Sequence, residues 1–211
     1  MSTEVQICNL ALSHVGGYPI TSLSDTSSKG ARECNTLYKN ARDSVLRDSV
    51  WNFATKNLSL ALLVDTYLGW VYAYQYPTDC LNAIRIYNDY NNNINRDSIY
   101  YPDYQAPGNK IEFKIISNST LSSKVIITNK EDAMLIYTGK VTDTNMFDSE
   151  FVDALSYRLA SELALPLKGD MNLQQQLFQV YLMKAGQARS NNCNEGYEVP
   201  QNVNTFLNAR Y

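Results

Sequence analysis

The sequence predicts an α+β protein, in which N-terminal and C-terminal helices form a helical bundle and a β-rich subdomain is inserted between them. Two observations support this prediction. Apolar residues recur at helical spacing near both ends of the chain, whereas residues 58–144 contain short runs of β-branched and aromatic residues. With 211 residues, 45 % of them hydrophobic, the chain can bury a large core.

The first 57 residues predict two helices. The first covers residues 3–15 and ends at Gly16-Gly17, since glycine adopts the left-handed conformation that closes a helix. Because its polar stripe is narrow (Gln6, Asn9, Ser13), we expect it to be buried on most sides. The second helix follows a loop over residues 18–27. Its expected buried residues are Ala31, Cys34, Tyr38, Ala41 and Val45, and its expected outward residues are Arg32, Glu33, Asn35, Lys39, Arg42 and Asp43.

The middle of the chain predicts strands. The runs that favour strands are 58–64, 69–76, 81–87, 111–116, 124–128 and 134–137. Between them, residues 88–109 hold an Asn run with Pro102, Pro107 and Gly108, which predicts a long exposed loop.

An αα-hairpin is predicted next. Its first helix has Asp148 as N-cap and ends at Pro166, with Phe147 and Val152 as a hydrophobic staple. Its second helix begins after Asp170. The first helix has an apolar stripe of Phe151, Leu155, Leu159 and Leu163, and the second carries Leu173, Leu177, Val180, Tyr181 and Lys184 on one side.

These elements predict three parts of the chain. Residues 1–57 and 145–191 form the helical core, 58–144 the β-rich subdomain and 192–211 a C-terminal arm. The arm is Asn-rich and has apolar residues only near its end, so a disordered terminus is the alternative. The apolar residues that we expect to contact a partner are Val203, Phe206, Leu207 and Tyr211.

Charge and composition limit the function. Only 18 % of the residues are charged, below the roughly 25 % of an average domain. The sixteen Tyr residues fit two interpretations, a surface that contacts other proteins or strands, in which Tyr is common. A net charge of −3 argues against tight DNA binding, which needs a basic excess. No apolar run is long enough to span a membrane.

We expect no enzymatic activity and no catalytic, cofactor or metal site. Nucleophile-elbow, P-loop, dinucleotide and zinc-protease motifs do not occur. The four cysteines lack a C-x-x-C pair, and Cys8 and Cys34 are expected to be buried free thiols. The single histidine, His14, ends the first helix, where a cation interacts favourably with the helix dipole.

A glycan-binding or peptidoglycan-cleaving tail protein remains the alternative. Glycoside hydrolysis needs two suitably spaced carboxylates, and aromatic residues such as Trp70 or Tyr100-Tyr101 could form a glycan platform. The available carboxylates are Glu112, Glu131, Asp132, Asp148 and Glu150.

Three stretches of the sequence resemble one known family. They are Leu10-Ala-Leu-Ser-His-Val-Gly16 with Ile20-Thr-Ser-Leu23, Val50-Trp-Asn-Phe-Ala54, and Tyr76-Pro-Thr-Asp-Cys-Leu81. Together with the order of elements, they resemble the head-to-tail adaptor of short-tailed bacteriophages, the tail tubular protein A family. Family members often carry arginine where this chain has Asn82.

The resemblance implies a structural virion protein in the phage neck, assembled in the cytoplasm of the host bacterium. It implies a homo-oligomeric ring of twelve subunits that joins the portal protein to the tail nozzle (tail tubular protein B-like). DNA would pass through the ring during genome ejection without specific binding, and no membrane is involved. A head-completion protein of a long-tailed phage fits less well, because the β-rich middle is sizeable.

Overall fold

The computed structural model describes residues 2–65, 67–87 and 111–194. It confirms the α+β class, with the β-rich region between the second and third helices. The helices and strands are α1 (Glu4–His14), α2 (Lys29–Asp48), β1 (Thr55–Ser59), β2 (Leu62–Leu63), β3 (Tyr72–Gln75), β4 (Cys80–Ile86), β5 (Phe113–Ser117), β6 (Lys124–Thr128), β7 (Met134–Gly139), α3 (Ser149–Lys168) and α4 (Met171–Asn194). The loop predicted at 88–109, with Tyr100-Tyr101, and the arm residues Val203, Phe206, Leu207 and Tyr211 lie outside the described residues.

Helix α3 is the centre of the helical core and packs against α1, α2 and α4. The stripe predicted for it is confirmed, since Phe151, Leu155, Leu159 and Leu163 are all completely buried. Trp51 closes one end of this core. Its ring meets Phe151 edge-on at a centroid distance of 5.0 Å, and its indole N–H donates to the carbonyl of Val45 at 3.0 Å.

Helix α1 begins and ends as its sequence predicts. Thr3 and Gln6 form a capping box, and Gly16 has φ +63° after the last turn. The expectation that α1 is buried on most sides is confirmed, because the exposed residues of this helix form one narrow stripe, Gln6, Leu10 and Ser13. The one difference is Leu10, which is 44 % exposed and takes the place predicted for Asn9.

Helix α2 buries all five residues predicted to face the core, but Arg42, predicted to face outward, is also buried. The Arg42 guanidinium donates to the Asp43 carboxylate at 2.8 Å and lies 6.0 Å from the Tyr38 ring centre. The Asp43 carboxylate also binds Lys140 Nζ at 2.9 Å. Arginine can be buried here because its charge is paired and its stem packs against apolar atoms.

Helix α3 does not end at Pro166, as predicted, but continues to Lys168. A proline in the last turn removes a single backbone donor, which a helix end tolerates. Gly169 then ends the helix with φ +69°, and its N–H donates to the carbonyl of Leu165 at 2.8 Å. Asp170 caps α4 as predicted, accepting from the N–H groups of Asn172 and Leu173.

The described strands form two antiparallel sheets, in the orders β1-β7-β4 and β2-β3-β6-β5. The single strand predicted at 58–64 is wrong, because β1 and β2 belong to different sheets. The backbone changes partners between Leu60, which donates to Ala133, and Ala61, which accepts from Gln75. The apolar cluster between the sheets comprises Leu60, Tyr74, Ile86, Ile126, Ala133, Leu135 and Tyr137.

Candidate functional site

One exposed side of α4 carries no charge. Its residues fall within an arc of about 140° and span about 27 Å along the helix. They are Asn172, Gln175, Gln176, Gln179, Leu182, Met183, Gly186, Gln187 and Ser190, and the other exposed residues of the helix, Met171, Arg189 and Asn191, lie outside this arc. We call this set the α4 face. Surface helices normally place charged residues towards water, so an uncharged face is typical of a protein contact.

The only two charged residues of the 24-residue helix α4 both bind groups of their own chain. Lys184 forms an ion pair with Asp153 of α3 at 2.7 Å. The Arg189 guanidinium donates to the Ser49 hydroxyl at 2.5 Å and to the carbonyl of Asp48 at 3.1 Å. These contacts hold α4 against α2 and α3 and leave the outward face uncharged.

A groove of about 820 Å³ between α3 and α4 adjoins the α4 face. Arg158 is one of its lining residues, and its guanidinium pairs with Glu162 at 3.0 Å and lies 5.2 Å from the Phe178 ring centre. Burial raises the pKa of Glu162, against the opposite effect of Arg158. Gln175 and Gln179 of the α4 face form part of the groove wall. The face is therefore an uncharged ridge bordered by a polar concavity.

A second surface with exposed apolar side chains lies on the hairpin that joins β2 to β3. Val64 and Leu68 are fully exposed, and Leu62 and Val71 are more than half exposed. We call these four residues the hairpin surface. They are exposed apolar residues along one hairpin, next to the exposed Asp65, and such residues are candidates for a protein contact. Trp70, considered above as a glycan platform, instead packs against the small cluster of Ala73, Val125 and Ile127.

His14 joins α1 to α3 and has a packing role. Its ring stacks on Tyr157 at a centroid distance of 4.0 Å, and Nε2 lies 3.3 Å from the Ser156 hydroxyl. Burial lowers the pKa of His14; Asp153 acts in the opposite direction and Lys184 in the same direction. The fold thus favours the neutral imidazole, whereas the helix-dipole interpretation expected a cation.

This lowered pKa predicts a pH dependence of stability. As the pH falls below the ordinary value of 6.5, the unfolded chain binds the His14 proton before the folded chain does. The free energy of unfolding should therefore decrease from pH 7.5 to 5.5, and His14→Gln should flatten this dependence. Urea unfolding at both pH values measures it. An unchanged pH dependence in the variant would show that His14 is not responsible.

The five carboxylates considered for glycan cleavage lie in two places. Glu112, before β5, and Glu131 and Asp132, between β6 and β7, are exposed beside the four-stranded sheet. Asp148 and Glu150 lie at the start of α3, where Glu150 accepts from Asn191 at 2.5 Å. A glycosidase acid depends on burial to keep its proton, and Glu112, Glu131, Asp132 and Glu150 are exposed.

Two cysteines of the helical core are in contact with each other. Cys8 and Cys34 are buried free thiols, as predicted. A hydrogen bond with Cys34, together with burial, raises the pKa of the Cys8 thiol, which keeps it protonated.

Within residues 2–65, 67–87 and 111–194, no cluster of three or more His, Cys, Asp or Glu side chains could hold a metal ion. No described helix is long and apolar enough to cross a membrane.

The sequence interpretation identified the buried stripe of α4 and missed its outward face. The signal was available, since Lys184 and Arg189 are the only charged residues between Met171 and Asn194. The hairpin surface was missed because an apolar run predicts a strand without saying which side is covered.

These features define an α+β protein with two candidate contact surfaces, the α4 face on the helical core and the hairpin surface on a sheet. Comparison with known proteins adds no relative, since no protein-family model and no curated protein matches the chain.

Proposed function

We propose that this chain is a head-to-tail adaptor of a short-tailed bacteriophage, a structural virion protein that forms a ring between the portal vertex and the tail nozzle. The observation that carries the proposal is the α4 face. An exposed face about 27 Å long, without charge and with Leu182 and Met183 near its middle, suits burial against another protein.

A closed ring needs two different surfaces on each subunit, because head-to-tail contacts join unlike patches. The α4 face supplies one of the two and packs against the neighbouring subunit. The hairpin surface is on the β-rich region and contacts the nozzle. The resemblance of residues 10–23, 50–54 and 76–81 to the adaptor family supports the same assignment.

The C-terminal residues, including Phe206 and Tyr211, contact the portal or a neighbouring subunit in this proposal. A truncation should keep Asn192, because its side chain accepts from the Asn52 N–H at 3.0 Å and donates to the Val50 carbonyl at 2.9 Å. Removing residues 195–211 should therefore leave thermal unfolding unchanged and weaken portal attachment in a pull-down. Attachment at full strength would contradict this role.

Electron microscopy of portal particles tests the adaptor function. The portal protein of the same phage is imaged alone and after mixing with the chain. The expected result is an additional ring on one end of the portal, with an open channel along its axis. Portals that stay bare at every mixing ratio would contradict the proposal. Turbidity loss on purified peptidoglycan would then test the alternative class.

A further inference from the structure

The exposed side of α2 carries a row of positive charge. Lys29, Arg32, Lys39 and Arg47 are all exposed. At 3.6 residues per turn, their spacing places them within an arc of about 80° and along about 27 Å of the helix. We call these four residues the basic ridge.

The charges of the basic ridge are not neutralised within the described part of the subunit. None of the four residues forms an ion pair there. Lys29 Nζ donates to the carbonyl of Pro166 at 2.5 Å, and Arg32 donates to the carbonyl of Thr26 at 3.0 Å. These are contacts to neutral groups, so the positive charges remain.

The nearest carboxylate on the same side of α2 is already occupied. Asp43 lies within the arc of the ridge, but it accepts from Arg42 at 2.8 Å and from Lys140 at 2.9 Å. At the end of α2, the Asp48 carboxylate accepts from the Tyr181 hydroxyl at 2.6 Å. The single negative charge of Asp43 is thus shared by two cations, Arg42 and Lys140, so it does not neutralise the ridge.

The basic ridge is unfavourable for the isolated subunit. The first turn of α2 has no acidic residue and contains Lys29, although a cation near a helix N-terminus is destabilising. The ridge also gathers like charges on one side of a chain whose net charge is −3. Both effects are relieved when a polyanion lies along α2.

We propose that the basic ridge binds the phosphate backbone of double-stranded DNA without reading its bases. The exposed Asn40 lies beside the ridge, and amide side chains commonly contact phosphates. Thr36 is also exposed there, but its hydroxyl donates to the carbonyl of Arg32 at 2.9 Å. The one aromatic residue of α2, Tyr38, is buried, so stacking on single-stranded bases is not favoured.

This inference rests on the adaptor function, in which DNA passes through the ring, and it identifies the helix that faces the DNA. Contacts to phosphates alone let a protein slide along a duplex. A small number of cations per subunit therefore guides the DNA without trapping it, consistent with the net negative charge of the chain.

Binding of the full chain to a fluorescent 30-base-pair duplex of arbitrary sequence tests the inference. Four phosphate contacts predict that affinity falls about 150-fold between 50 and 200 mM salt. Lys39→Gln combined with Arg47→Gln leaves two contacts, which predicts a fall of only about 12-fold and weaker binding at 50 mM. The matched control is Lys114→Gln combined with Lys130→Gln, which removes the same charge from β5 and from the loop after β6.

The control should bind DNA like the unchanged chain. Equal binding and equal salt dependence in the unchanged chain and the ridge variant would overturn the inference, as would an equal loss in the control. The portal complex is measured separately with the same variants. A portal complex without ridge-dependent DNA binding would refute the ridge alone, whereas DNA binding without a portal complex would refute the adaptor function alone.

Discussion

Replacing Leu155 with aspartate should destabilise the subunit by at least about 4 kcal/mol, a large part of the usual stability of a domain. Leu155 is completely buried in the middle of α3. The substitution removes the burial of an apolar side chain and places a charge where water cannot reach it. The aspartate must either stay ionised without a partner or bind a proton, and both alternatives favour the unfolded state.

The matched control for this change is Leu165→Asp on the same helix. Leu165 is 47 % exposed, so its aspartate remains in water and should cost about 1 kcal/mol or less through helix propensity and the helix dipole. Thermal and urea unfolding of both variants measure the difference. Similar unfolding of Leu155→Asp and the unchanged chain would mean that the core of α3 is assigned to the wrong face.

Replacing Met183 with glutamate should weaken assembly and leave the stability of the subunit unchanged. Met183 is exposed on the α4 face, and both residues are good helix formers, so the isolated subunit should unfold as before. In the proposed ring the new charge would be buried between subunits without a partner. We expect a loss of about 2 kcal/mol or more per contact, roughly thirtyfold in affinity.

The control for Met183→Glu is Ser119→Glu, which adds the same charge in the exposed turn between β5 and β6. The number of subunits bound per portal ring, measured by native mass spectrometry, should fall for Met183→Glu and stay unchanged for Ser119→Glu. Normal assembly of Met183→Glu would remove the α4 face from the contact.

A substitution at Gly186 tests the same contact through size instead of charge. A Cβ at this position meets no atom within 4 Å, and leucine has a higher helix propensity than glycine. Gly186→Leu should therefore leave the subunit as stable as before or more stable. In a packed contact the larger side chain would overfill the space. Assembly that weakens while stability rises would locate the contact on α4.

The ends of the helices were predictable because local chemistry determines them. Thr3 and Asp170 accept hydrogen bonds from the first turns of α1 and α4, and Gly16 adopts a positive φ after α1. Pro166 shows the limit of such signals, since a proline stops a helix only where the lost donor is needed. The buried stripes of α2 and α3 followed from helical spacing alone.

The division of the strands between two sheets was not predictable from the sequence. The run 58–64 is apolar apart from Ser59, and the change of partner after Leu60 depends on Ala133 and Gln75, far away in the chain. The burial of Arg42 likewise depends on pairing with Asp43, which outward helical spacing does not reveal.

The surfaces were partly predictable. The positive residues of the basic ridge are evident in the sequence of α2. Their lack of ion pairs was not, because Asp43, the carboxylate within the same arc, binds Lys140 from elsewhere in the chain. The α4 face could be predicted from the absence of charge once both Lys184 and Arg189 were known to bind their own chain.

Light scattering after size exclusion, applied to the chain mixed with its cognate portal protein, is the decisive measurement for the proposed adaptor function. We expect a single complex whose mass exceeds that of the portal ring by twelve subunits of 23.9 kDa. The ratio should stay fixed when excess chain is added. Separate elution of chain and portal at every ratio would refute the adaptor function.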